Sequence, residues 1–449
     1  MHPRKKNRHW PALLPIMAVA LVAPYMASAS PGTSQSLLTL QQAESLALQH
    51  NPALAAAGKQ AEAMAQIPSQ VGSLPDPKVS FKAINLPVDT FSTTQENMTQ
   101  MQLGFSQALP FPGKLGLKSE AAEHMAAAAL QNRQEFRLVL LRNTRIHWWN
   151  LAYLDKALEI VRRNQDLLRN LVKIAETKYK TGKGLQQDVL LAQLELSKLL
   201  ERELKLQAAR DREAASMNAL LGRSSDTKIL MPKQNAHDLE ELTRGRNQSL
   251  EEMHEKVSAL KQWAHGHRPM LLAMDARLSA AGSMVALAEK DYYPDFNAGF
   301  GYGFRQGVNP ASRKTRPDFA TFMLTMTLPL YSGSKQDKAV DQRRAEKARV
   351  QFSLEDAINR VDADIEAAAS DLRIARDQVI LFDQGILPQA RQTTASMLAG
   401  YQVNKVDFLN LVRAQLNEFN TDIQYWQQVS RAHQAEARLA AAAGKERLQ

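Results

Sequence analysis

A chain of 449 residues, 44% apolar and 23% charged, reads as ordered rather than disordered and is long enough for two or three ordinary domains or one extended one. It contains no cysteine, which excludes disulfides, thiolate chemistry, cysteine-rich zinc sites and an N-terminal lipidated cysteine. The formal charge of +10 would favour a nucleic-acid partner, but that support fails once the N-terminus is read.

Residues 1–29 have the form of a secretory signal. Arg4, Lys5, Lys6 and Arg8 make the basic start, Trp10 to Tyr25 is mostly apolar, and Ala27-Ser28-Ala29 offers a small-residue cleavage site. A membrane anchor would need a longer run, and Pro11, Pro15 and Pro24 break this one. Removing the segment leaves 52 basic against 46 acidic residues, a balance of only +6, so no nucleic-acid partner is expected. No later stretch reads as a transmembrane helix.

Leu38 to Ser73 is helical in composition, with a break at Asn51-Pro52, and Leu74-Pro75-Asp76-Pro77 ends it. The period then changes from 3.6 to 2. Val79, Phe81 and Ala83 alternate with Lys78, Ser80 and Lys82, and after a polar loop Met101, Leu103 and Phe105 alternate with polar residues and glycine. This predicts a β-hairpin, closed by Leu109-Pro110-Phe111-Pro112-Gly113. From Gly113 to Gly182 apolar residues recur in heptad fashion at Leu151, Leu154, Leu158, Val161, Gln165, Leu168, Val172, Ala175 and Tyr179. The spacing predicts one helix of ~100 Å at about 1.5 Å per residue, which suits a wall or tunnel better than a globular core.

The plan then repeats. A helix over Met270–Lys290 ends at Tyr293-Pro294-Asp295. A strand follows with Phe296, Ala298, Phe300, Tyr302 and Phe304 on one face, and its partner carries Phe322, Leu324, Met326 and Leu328. Leu328 to Gly333 echoes Leu109 to Gly113, and a second heptad seam runs from Ile358 to Ile386, where Pro388 should kink it. At a shift of 222 residues Tyr179, Lys183, Ala192, Gln193, Leu194 and Gly222 fall on Tyr401, Lys405, Ala414, Gln415, Leu416 and Gly444 without a gap. The expected division is a signal at 1–29, a first helix–hairpin–helix repeat at 30–222, a polar connector at 223–267 and a second repeat at 268–449. The fold class is mixed α and β, mainly α.

Each strand is expected to offer about nine to eleven alternating residues, enough to cross a bilayer as tilted β-structure. No remaining segment offers an apolar layer to cover these strands. Four strands are too few for a membrane barrel, whose smallest forms use about eight, and lipid tolerates no open edge. Three copies pooling their strands would make a barrel of about twelve, with the helices pooled into a hollow cylinder below it.

These residues carry a resemblance. The chain resembles the TolC-like outer-membrane efflux proteins over nearly all its mature length, through Leu38-Thr39-Leu40 with Asn51-Pro52, Pro75-Asp76-Pro77, Leu109-Pro110-Phe111-Pro112-Gly113-Lys114, and the Tyr179…Gly182…Asp188-Val189-Leu190…Ala192-Gln193 turn in its duplicated frame. The resemblance implies a homotrimer with a β-barrel in outer-membrane lipid and a helical tunnel in the periplasm. It also implies partners, a periplasmic adaptor protein and an inner-membrane pump. Asn85-Leu86-Pro87-Val88-Asp89-Thr90-Phe91 and the Phe-Pro-Gly-Lys run resemble the branch served by heavy-metal pumps of the resistance-nodulation-division class. The lack of cysteine at Ala29 or Ser30 departs from the lipid-anchored members.

The two helix turns, Tyr179 to Asp188 and Tyr401 to Asn410, are expected at the closed periplasmic end, where the adaptor docks. Gly182 and its repeat counterpart Asn404 suit a left-handed turn position. Family members often carry acids at the narrowest point, whereas this chain has Asn410 and Arg413 at the matching positions and Asp407 one helical turn earlier. A mixed Asp407/Arg413 constriction is therefore the expectation. No metal site is expected. Met98 and Met101 read as gap-filling methionine, His265-Gly266-His267 lacks a third ligand, and Gly299, Gly301 and Gly303 form a strand face rather than a nucleotide loop, so no cofactor is implied. With no nucleophile–base arrangement, the chain does not read as an enzyme. An efflux conduit for small solutes or metal ions is favoured, with polypeptide or multidrug export as the alternative and a soluble coiled-coil scaffold as a remote one.

Overall fold

A computed structural model describes residues 37–233 and 250–448; the signal segment and part of the connector lie outside the described residues. The N-terminal helical stretch is three helices rather than two. Helix α1 (Leu40–His50) opens with a reciprocal Thr39/Gln42 capping box, α2 (Pro52–Ala65) is capped by Asn51, and α3 (Ile67–Gly72) restarts at Pro68. Strands β1 (Lys78–Ile84) and β2 (Gln100–Leu109) lead into α4 (Lys114–Lys180), a single helix of 67 residues, and then α5 (Gln186–Leu220).

The connector is not only polar coil, because it holds α6 (Leu250–His267), which buries Val257 and Ala264 against the second repeat. That repeat runs through α7 (Pro269–Lys290), β3 (Phe296–Phe304), β4 (Phe319–Met326), α8 (Gln336–Leu381), α9 (Leu387–Gln402) and α10 (Phe408–Ala442). Helix α7, contrary to the sequence reading, is long and apolar enough to cross a bilayer. It packs instead between α4 and α8, carries Asp275 and Arg277, and feeds directly into β3, so its apolarity serves helix packing. Strands β2 and β3 have the expected length at 10 and 9 residues, β1 and β4 are shorter at 7 and 8, and Leu328 falls outside β4.

The 222-residue shift holds in the structure. Helix α4 spans 114–180, and α8 with α9 spans 336–402; α5 and α10 obey the same shift at both ends. The two long helices differ at one place. Pro388 lies just after a π turn over Phe382–Ile386, where the Leu387 amide donates to the Phe382 carbonyl. Pro388 has no N–H for the Gln384 carbonyl, and the helix meets that missing bond with the wider turn just before it.

Four helix ends close alike, in two repeat pairs. Gly182, Asn404, Gly222 and Gly444 all take positive φ, at 68°, 61°, 65° and 74°. The following amides reach back to close the last turn: Lys183 to the Lys178 carbonyl and Lys405 to the Gly400 carbonyl, both at 2.8 Å. A pairing not legible in the sequence joins the helix starts to these ends. Asn51 Nδ2 donates to the Leu220 carbonyl at 3.0 Å, and the Arg268 guanidinium donates to the Ala442 carbonyl, also at 3.0 Å. The backbones approach so closely that a Cβ on Gly222 would stand 2.3 Å from the His50 carbonyl oxygen.

The middle of α4 is the densest region. Trp148 and Trp149 are buried; Trp148 donates to the Leu38 carbonyl at 3.0 Å, and Trp149 stacks on His433 with centroids 3.6 Å apart. Beside them Glu44 accepts from Arg145 at 2.6 Å and from Arg447 at 2.9 Å, tying the first helix to the last described residues. The heptad seam is buried from Leu151 to Ala175 except for half-buried Val172, but Tyr179 is exposed.

The two hairpins form one antiparallel sheet in the order β1-β2-β3-β4. Register aligns their apolar faces. Val79 pairs with Phe105, Phe105 with Phe300, and Phe300 with Phe322, while Phe81, Leu103 and Tyr302 make the next row. The opposite face carries Ser80, Gly104, Gly301 and Thr321. Gly301 is covered by the Gln102 side chain, whose Nε2 lies 2.5 Å from where a Cβ would stand, so it is not an open position. Where the sheet meets the helices, buried Lys114 pairs with Asp291 and Asp295, each at 3.0 Å, and Asp295 also accepts from the Phe111 amide. Burial opposes the charge on Lys114, but its bonds to the two aspartates outweigh that and raise its pKa.

If the aromatic face meets lipid, Leu324→Lys should cost ~2–4 kcal/mol near the midplane and Thr325→Lys on the other face far less. Denaturant unfolding of bilayer-inserted protein measures both, and equal costs would show that the faces are misassigned.

Candidate functional site

At the end of the molecule remote from the sheet, two helix turns lie side by side, one joining α4 to α5 and the other α9 to α10. Their sequences are related by the repeat, but their surroundings differ. Tyr401 is 6% exposed and Tyr179 is 48% exposed. Lys178 accounts for much of the difference. Its ammonium sits 3.8 Å from the centroid of the Tyr401 ring, donates to the Tyr401 carbonyl at 3.1 Å and to Asn404 Oδ1 at 2.9 Å. One cation thus fastens the first turn to the second through the ring, the carbonyl and the residue in left-handed conformation. Phe408 backs the ring from the other side, with centroids 5.6 Å apart. Burial, with a smaller contribution from the Asp188 charge, pushes the Tyr401 phenol up, so it stays a neutral hydroxyl.

Asp407 is the N-cap of α10, its Oδ1 accepting from the Asn410 amide at 2.8 Å. The repeat counterpart of this cap is Leu185, which makes no side-chain cap bond. Asp188, half-buried, stands in the first turn of α5. Asp407, Asn410 and Arg413 are exposed, while Phe408, Leu411 and Val412 of the same turns are buried. Spacing of three residues keeps the exposed trio on one side of the helix. The structure therefore brings Tyr401, Asn404 and Lys178 into one contact, with Asp188 close enough to act on Tyr401 by charge; Tyr179 and Arg413 stand apart in the single chain. Lys178 was missed in the sequence because its repeat counterpart is Gly400, so the duplication gives no signal for it.

His265 bonds Asp362 at 2.8 Å, and His267 bonds the Trp263 carbonyl at 3.0 Å while stacking on that ring. Among the described residues no three His, Asp or Glu side chains converge as a metal site would require.

A four-stranded sheet with one apolar face, continued by paired helices into a remote end closed by turns, defines an outer-membrane channel protein. The family model described as outer membrane efflux protein matches residues 44–223 and 260–445, and the chain belongs to that family. Channels of this kind work with an adaptor and an inner-membrane pump; the protein is an efflux component of the outer membrane with its helices in the periplasm. A curated relative, the cobalt-zinc-cadmium resistance protein CzcC of Cupriavidus metallidurans, is 23% identical over 442 residues, covering 93% of this chain and 96% of the relative. Among solved structures, CusC aligns at 17% identity with a TM-score of 0.74 over 90% of this chain and 92% of that one. VceC of Vibrio cholerae aligns at 19% identity and 0.73 over 90% and 96%. These structural likenesses concern the fold.

Asp407→Ala removes the cap and should cost the first turn of α10 ~1 kcal/mol. Hydrogen exchange at residues 408–411 should then quicken about fivefold with the sheet amides unchanged. An unchanged rate at the turn would mean that the cap contributes nothing there.

Proposed function

We propose that this chain is the outer-membrane duct of a tripartite system exporting heavy-metal cations, acting as a homotrimer with a twelve-stranded barrel and a resistance-nodulation-division pump beneath it. The observation that supports the assembly is the sheet itself, which has an aligned apolar face and two edges without a partner strand among the described residues. Open edges in hydrocarbon leave backbone groups unsatisfied at several kcal/mol each, and three copies remove all of them. The cargo reading rests on the name of the CzcC relative and on the Asn85 to Phe91 segment, because a passive duct carries little cargo chemistry of its own. Deleting the gene should raise sensitivity to cobalt, zinc and cadmium and leave drug tolerance and protein secretion unchanged. Altered drug tolerance with unchanged metal tolerance would assign the duct to multidrug export instead.

The two turns form the docking end for the adaptor and the gate. Tyr179, Gly182, Asp188, Tyr401 and Asn404 make the surface an adaptor meets, and Asp407, Asn410 and Arg413 face the constriction. In a trimer Asp407 and Arg413 of neighbouring protomers pair, and such exposed pairs hold the closed state at ~0–1 kcal/mol each, weak enough for a docking partner to break. Arg413→Asp replaces three attractions with repulsion. Single-channel conductance in planar bilayers should rise for that variant, and an unchanged conductance in a correctly assembled trimer would place the constriction elsewhere.

A further inference from the structure

The polar face of the sheet carries charge of one sign. The four strands hold no acidic residue, and their only charges are Lys78 and Lys82, both on β1. These lysines stand on the face of Ser80, Gly104, Gly301 and Thr321, away from the aromatic rows. Both are exposed, and among the described residues neither has an ion-pair or hydrogen-bond partner.

The rest of that face lies low around them. Strand β3 offers only Gly299, Gly301 and Gly303 there beyond Asn297, and β2 lays its glutamines across the glycines. Gln102 covers Gly301 and donates to Thr321 Oγ1 at 3.3 Å, and Gln100 covers Gly303. The two lysines are thus the longest polar side chains left free to rise from the face. Nearby acids do not cancel them. At the helix end of the sheet Asp291 and Asp295 pair with Lys114. At the outer end Asp318 accepts from the Tyr302 hydroxyl at 2.9 Å and from the Arg305 amide at 2.8 Å. Asp76 is exposed and lies beyond Pro77, outside the strand, with a bond to neither lysine. The outer loops 85–99 and 305–318 add four basic residues, Arg305, Arg313, Lys314 and Arg316, against three acids.

We infer that the lumen of the barrel prefers anions, with Lys78 and Lys82 as the residues that set the preference. The inference rests on the trimer proposed above and adds the charge of its bore. Three copies would arrange the lysines as two rings of three, ~13 Å apart at about 3.3 Å per strand residue. That exceeds the ~8 Å screening length at physiological salt, so each ring acts on its own stretch of the bore. Rings of like charge in a narrow channel select by sign. A potential of about one kT raises a monovalent anion and lowers a monovalent cation e-fold each, a ratio of roughly sevenfold. It thins a hydrated divalent cation by about the same sevenfold, so the field favours metal held in an anionic complex over the free ion. Lysine on an edge strand can also serve only to discourage wrong pairing. That role would leave ion preference untouched once the barrel is closed.

The cysteine-free chain allows a local test in native outer membranes. Thr321→Cys, on the lysine face, is treated with an anionic and a cationic methanethiosulfonate, with and without Lys78→Gln/Lys82→Gln. Removing the lysines should lower the ratio of anionic to cationic labelling rates roughly sevenfold. An unchanged ratio, with both reagents reaching the cysteine, overturns the inference. Reagents that reach Phe322→Cys and not Thr321→Cys overturn it too, because the faces are then reversed. In a potassium chloride gradient, the single-channel reversal potential should move towards cation preference in Lys78→Gln/Lys82→Gln. A potential that moves with Arg413→Asp and not with the lysine pair overturns the inference by placing the filter at the remote turns. Recovery of the protein as monomers overturns the trimer, and the inference with it.

Discussion

Everything in this chain follows from a sheet that cannot be completed by the chain that makes it. Four strands align one apolar face and leave two edges open. In water such a sheet would need a covering layer, and no helix supplies one, because α4, α7, α8 and α10 bury their stripes on one another. In lipid the apolar face is satisfied but the edges are not. Association of copies meets both demands together. It also explains why the helices are so long and so regular. In the proposed trimer the helical wall would continue the barrel in step below it, and equal helix lengths in both repeats would keep the copies aligned.

Much of this was legible in the residues. Proline and glycine punctuation at Pro75-Asp76, Pro110 and Pro294-Asp295, with the change of period from 3.6 to 2, located both hairpins to within a few residues of the observed strands. The 222-residue shift was visible from six identities and proves to relate the outer ends of α4 to those of α8–α9 and both ends of α5 to those of α10. Positive φ at Gly182 and Asn404 was readable because few residues tolerate it cheaply.

What was not legible depends on unlike residues filling like places. Asn51 and Arg268 share no chemistry on paper, yet each caps the carbonyl at the end of its repeat's last helix. Lys178 holds Tyr401 through its ring and carbonyl and Asn404 through its side chain, and has glycine as its counterpart, so no repeat signal marks it. The extra break before Ile67-Pro68 was missed because the alanine-rich run before it reads as continuing through to the Pro75 stop. The sequence marks an irregularity at Pro388, but not its form, a π turn over Phe382–Ile386, because a proline does not say how the helix meets its missing bond.

The differences between the repeats are not spread evenly. The helix-end closures and the joints at Gly222 and Gly444 keep one geometry in both copies. Divergence gathers at the start of the long helices, where Lys114 becomes Gln336, and at the remote turns, where a clamped Tyr401 faces an exposed Tyr179 and an Asp407 cap replaces Leu185. That distribution has a physical reason. In the proposed closed ring, quasi-equivalent units must agree in spacing, which helix length and end geometry set, so those features would tolerate little change. Local contacts that do not alter spacing are free to differ, and they differ at the remote turns, the end proposed above as docking site and gate. A single strong lock repeated around the ring would multiply with symmetry and could not be opened by a docking partner. In the proposed gate, one cation on one ring per chain, beside the exposed Asn404, Asp407, Asn410 and Arg413, would keep that sum small.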